Sequence, residues 1–189
     1  MTKSEIELKA NEVFSQYVKK GGAYKQFNAI FQSENIKYKE IENIKSDFVG
    51  VFTKAPNGQK YIMVNSEIDN DGRKNFTIAH ELGHYFLGHT LNNHLDTEIN
   101  EEGLSKEPIE NEADYFATCL LMPEEKITRA FKSMLYNARG VYNKDFLFVN
   151  KGNYGTWCHI CSDLMKRYGV SETALRYRLK TLNLVKFEL

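Results

Sequence analysis

Phe76-Thr77-Ile78-Ala79-His80-Glu81-Leu82-Gly83-His84-Tyr85-Phe86-Leu87-Gly88-His89 sets an HExxH pattern among apolar residues. On a helix the i, i+4 spacing of His80 and His84 puts both imidazoles on one face, about 6 Å apart, where one metal ion can reach both. Zinc takes imidazole nitrogen at roughly 2.0–2.1 Å, and a catalytic site keeps three protein ligands so that water can fill the fourth position. Two histidines therefore need a third ligand. Glu81, beside the first histidine, is placed to take a proton from a metal-activated water as it attacks a peptide carbonyl. Phe76, Ile78 and Ala79 before the motif, with Phe86 and Leu87 after it, give the helix an apolar back that holds its polar face against a cleft. Gly83 removes a side chain where substrate or a second helix must come close. The alternative, two packed core histidines, is disfavoured by these flanks.

The third ligand is expected downstream, and Glu110-Asn111-Glu112-Ala113-Asp114 offers three carboxylates. Glu110 and Asp114 are four apart and share a helix face. One can bind metal while the other accepts a hydrogen bond from a ligand histidine and fixes its tautomer. Glu112 points elsewhere. A solvated acidic helix start, favoured by the helix dipole, would be the plain reading in the absence of the histidines.

Around these motifs the periodicity predicts an α+β chain. Ile6, Ala10, Val13, Phe14 and Tyr17 recur at helical spacing over residues 4–19, and a short helix follows near 26–32. Segments 36–41, 48–54 and 59–65 read as strands of a small antiparallel sheet, with Pro56-Asn57-Gly58 as a hairpin turn. Strand 59–65 is expected at the sheet edge, where an extended substrate could pair with it. The active helix should span 75–89, followed by an exposed acidic loop over 90–108. Helices are expected over 110–121 and from Pro123 to about 139, with Gly140 as the cap. The last stretch reads helix, turn, helix: Ile160, Leu164 and Tyr168, then Gly169-Val170-Ser171, then Leu175, Leu179 and Leu182. Lys166, Arg167, Arg176, Arg178, Lys180 and Lys186 make this pair basic, and a solvated basic face is favoured over a DNA-reading one.

Twenty-five basic and 25 acidic side chains cancel, so no overall field attracts nucleic acid or an anionic membrane. No apolar run approaches a membrane span, the first residues lack a signal-like segment, and three cysteines suit a reducing compartment; the expected location is cytoplasmic. The pair Cys158 and Cys161 has no second CxxC to complete a zinc knuckle, so buried thiols are expected. His89 lies nine residues after His80, off the spacing of a three-histidine site, and is read as a helix-end histidine beside the C-terminal dipole. His159, Tyr154 and Tyr85 are candidates for stabilising the oxyanion, with nothing in the spacing to select among them.

The strings 76–89 and Glu110-Asn111-Glu112-Ala113-Asp114-Tyr115-Phe116-Ala117, continuing to Leu120-Leu121-Met122-Pro123, resemble the ImmA/IrrE family of metallopeptidases. The resemblance covers about residues 5–140, and the final helical pair is similar to the helix-turn-helix-like segment that follows the peptidase core in that family. It implies a minigluzincin-like domain over 1–140 and a packed helical segment over 141–189. It also implies Zn2+ held by His80, His84 and Glu110, with Asp114 behind them; Glu81 stays the expected catalytic base and Glu112 the fallback ligand. The implied partner is a protein substrate, a helix-turn-helix repressor cleaved by an anti-repressor protease. A DNA-binding or toxin-antitoxin-type regulator that uses the fold without proteolysis is the other reading; an intact base and ligand set argue against it.

Overall fold

The computed structural model describes residues 1–42, 48–89, 108–138 and 145–188. Helix α1 (Lys3–Tyr17) opens on a reciprocal cap, in which the Thr2 hydroxyl accepts from the Glu5 amide while the Glu5 carboxylate accepts from the Thr2 amide. Its buried face is Ile6, Ala10, Val13, Phe14 and Tyr17, the set expected from the spacing. A short 3₁₀ turn (Ala23–Gln26) leads into α2 (Phe27–Ser33), then strands β1 (Ile36–Ile41), β2 (Gly50–Lys54) and β3 (Lys60–Asn65). The β2–β3 hairpin turns where Pro56-Asn57-Gly58 predicts it, with Gly58 at φ +82°.

The sheet differs from the expectation in two respects. Its order is β1-β3-β2, with β1 parallel to β3 and β2 antiparallel to it, so the sheet is mixed rather than antiparallel. Strand β3 is central, not an edge, and both of its backbone edges are already paired. Ile62 and Val64, which share one face of β3, are fully buried.

Helix α3 (Asp71–Leu87) carries the HExxH motif and begins earlier than expected, because the Asn70 side chain accepts from the Arg73 amide as N-cap. It runs between the sheet and helix α4 (Pro108–Leu121), with α1 packed on α4 as well. Gly83 makes the close approach possible: a Cβ there would lie 3.1 Å from the Ala113 Cα and carbonyl oxygen. Phe116, Leu120 and Leu82 are fully buried at this junction, each stabilising the fold by about 1.5–3 kcal/mol. Helix α5 (Glu124–Asn137) follows with Pro123 as its N-cap; Ile127, Phe131 and Leu135 face the core. The expected cap Gly140 and almost all of the 90–108 segment lie outside the described residues.

The C-terminal part holds β4 (Leu147–Val149), α6 (Tyr154–Tyr168), α7 (Glu172–Thr181) and β5 (Val185–Phe187), with β4 and β5 in a parallel two-stranded sheet. The turn between α6 and α7 is docked on the first turn of α3. A Cβ on Gly72 would fall 2.4 Å from the Val170 carbonyl carbon, and Asn75 Nδ2 donates to the Gly169 carbonyl at 2.9 Å. Arg178, expected in the solvated basic face, is fully buried instead. No described helix is long and apolar enough to cross a membrane.

Candidate metal centre

One helical turn of α3 brings the Nε2 atoms of His80 and His84 to 2.8 Å from each other. Glu110, on the first turn of α4, sets its Oε2 at 3.1 Å from His80 Nε2 and 3.3 Å from His84 Nε2. A tetrahedral ion bound at about 2.05 Å requires ligand atoms about 3.3 Å apart, close to this triangle. Both histidines are buried, and the other Glu110 oxygen is buried with no protein partner among the described residues.

The donor chemistry fits a cation. His80 Nδ1 is 2.7 Å from the Asp114 carboxylate, which as an acceptor places the proton on Nδ1 and leaves a lone pair on Nε2. That lone pair faces the Glu110 carboxylate, so two electron-pair donors meet where only a proton or a metal ion can reconcile them. Burial opposes the charge on Glu110, but the adjacent His80 and His84 rings outweigh it and hold the carboxyl well below the usual range. His80, His84 and Glu110 form the group able to hold a metal ion among the described residues. The structure brings His80, His84 and Glu110 together and sets Asp114 against His80. Glu112 does not join them; its carboxylate lies 3.2 Å from His89 Nε2.

Glu81 is 1% exposed, and the sequence contains an unforeseen partner for it. Gly50, at the start of β2, lies so close that a Cβ there would stand 2.9 Å from Glu81 Oε1 and 2.6 Å from Thr77 Cγ2. The glycine is thus required by space rather than by backbone conformation. Gly50→Ala is expected to push the Glu81 carboxylate aside and lower kcat by about 10-fold to 100-fold, in the range of a misplacement of about 1 Å, with metal content unchanged. Parallel kinetics and metal analysis test this; an unaltered kcat would mean that the strand yields instead.

The oxyanion candidates fare differently. The Tyr85 hydroxyl is committed to Glu34 at 2.5 Å and to Lys60 Nζ at 2.8 Å, and burial with the Glu34 hydrogen bond pushes its pKa up to about 12. The side chain of His159 is 82% exposed and its partner is Asp163 on its own helix, while Tyr154 is also exposed. Cys119 and Cys161 are buried thiols, pushed up to about 12 by desolvation, whereas Cys158 is exposed, contrary to the expectation for the pair.

No curated protein matches the chain. Among solved structures, a Mycobacterium tuberculosis transcriptional regulator shares the fold with a TM-score of 0.56 and 17% identity, over 93% of this chain and 47% of that one. The chain therefore spans about half the length of that regulator. A family match is more specific than this likeness of fold, and it runs over residues 32–180, most of the chain and both halves of the metal constellation: the protein belongs to the IrrE N-terminal-like domain family, Peptidase_M78, a family of metallopeptidases.

Proposed function

We propose that the protein is a zinc-dependent endopeptidase in which His80, His84 and Glu110 hold the metal, Asp114 orients His80, and Glu81 is the general base. The observation that carries this reading is the convergence of the three ligand atoms within 2.8–3.3 Å of one another. Zinc at this place supplies a Lewis acid that polarises the scissile carbonyl and acidifies water. Glu81 accepts the proton of the attacking water and returns it to the leaving amine. Asp114 keeps the His80 lone pair directed at the ligand position.

Strand β2 supports a course for the substrate. It pairs with β3 on one side only among the described residues, and its first residue touches Glu81. An extended peptide added along β2 would present its backbone to the base with little dependence on side chains. The resemblance to ImmA/IrrE peptidases supports a helix-turn-helix repressor as that substrate and an anti-repressor role in the cytoplasm. It also supports residues 1–140 as the minigluzincin-like peptidase domain and 141–189 as a helix-turn-helix-like segment packed on it, with α6 against α5 and α7 against α4.

The test is zinc stoichiometry of the purified chain beside His80→Ala and Glu110→Ala. About one zinc per chain is expected in the wild type, lost in both variants, followed by cleavage of candidate repressors. A wild type that takes up no zinc when it is supplied would overturn the peptidase site and favour a binding regulator that acts without proteolysis.

A further inference from the structure

Among the described residues, His84 has no carboxylate of its own to play the part Asp114 plays for His80. Its Nδ1 instead faces His89 Nδ1 at 2.9 Å, and His89 Nε2 faces the Glu112 carboxylate at 3.2 Å. We propose that His89 and Glu112 form a two-step outer shell that orients His84 toward the metal, a role that rests on the metal-site reading above.

The local fold builds this contact deliberately out of a helix end. Gly88 takes the left-handed conformation, φ +71°, that a Cβ would disfavour, and the His89 amide then donates back to the His84 carbonyl at 3.0 Å. The chain is thereby folded over the last turn of α3, bringing the two rings to 5.0 Å between centroids at an interplanar angle of 68°. On the other side, Glu112 comes from α4 two residues after Glu110, so the same helical turn supplies a ligand and the far end of the relay. The side chain of His89 is 7% exposed, which makes an ill-matched hydrogen bond costly.

Only one proton arrangement satisfies all the atoms. With His84 Nε2 donating its lone pair to a metal, its neutral ring carries the proton on Nδ1 and donates it to His89 Nδ1. His89 then carries its own proton on Nε2 and donates to Glu112, an acceptor. Both ligand imidazoles thus end on a carboxylate, His80 directly on Asp114 and His84 through His89. Outer-shell partners of this kind raise the basicity of the ligand and fix its ring, and removing one weakens metal binding by about 10-fold to 100-fold. His89 is accordingly a positioning residue and Glu112 its anchor, with the other Glu112 oxygen paired to the Met1 ammonium.

The experiment is a competitive titration of zinc against a chromophoric chelator on the full metal-stripped chain. It compares wild type, His89→Leu, His89→Asn and His80→Ala, with thermal melts of each apo form and the visible spectrum of each Co2+-loaded form. His89→Leu keeps bulk but offers no acceptor, and should weaken zinc by about 10-fold to 100-fold. His89→Asn, whose amide oxygen can take the place of Nδ1, should recover most of that affinity. The Co2+ spectrum should shift in His89→Leu and return in His89→Asn, which a purely structural role for the ring would not produce. Equal zinc affinity in wild type and His89→Leu, or no recovery in His89→Asn, would overturn the relay. Failure of the wild type itself to bind zinc would instead overturn the metal-site reading on which it rests.

Discussion

Glu81→Gln is expected to lower kcat/KM for a peptide substrate by about 10²-fold to 10⁴-fold, the usual contribution of a positioned base. Zinc content and melting temperature should stay unchanged. The replacement is isosteric, so the packing of a side chain that is 1% exposed between α3 and β2 survives. An amide cannot accept the proton of water at neutral pH, so the loss falls on the chemical step. The same variant separates this reading from a non-proteolytic regulator, whose partner binding would be indifferent to the change. Cleavage followed by gel and mass spectrometry, with metal analysis on the same sample, decides it; a variant that cuts at the wild-type rate would remove Glu81 from the mechanism.

The centre of the site was legible because a helix converts spacing into geometry. His80 to His84 and Glu110 to Asp114 are each four apart, and four residues bring side chains to one face regardless of what surrounds the helix. The face of α1 was legible for the same reason. Strand partnership is not written in this way: a two-residue period says which residues share a face, never which strand lies alongside. The order β1-β3-β2 therefore had to come from the structure. Strands β4 and β5 are three residues each, too short for periodicity to register. The place of His89 beside His84 was missed because it depends on the left-handed turn at Gly88, which reverses the expected spacing of a helix end. Gly50 was missed because a glycine chosen for lack of space leaves no mark distinguishing it from one chosen for a turn.

Arg178→Ala is expected to destabilise the fold by about 3 kcal/mol or more, the cost of leaving a buried pair with one partner. For a chain of this size that is a fall in melting temperature of about 6–12 °C. Within the sequence Arg178 is one cation among several on a basic helix, and a solvated face is the natural reading. In the structure it is fully buried, with Nη2 donating to Glu7 of α1 and Nε donating at 3.0 Å to the Met122 carbonyl just past the end of α4. A planar guanidinium suits this position, since it can serve a carboxylate and a helix-terminal carbonyl at once. Glu7 keeps partial contact with solvent at 19% side-chain exposure, which places the expected cost near the lower end of the range. The double change Glu7→Gln with Arg178→Met should recover much of the loss, because an apolar side chain of similar length fills the space without a stranded charge. Thermal melts of the single and double variants measure this directly; an Arg178→Ala melt within a degree or two of wild type would restore the surface reading. The consequence reaches the metal centre. Helix α4 carries Glu110 and Asp114 at one end and is held by Arg178 at the other, so the segment that reads as helix-turn-helix is a clamp on the helix that supplies the proposed third ligand.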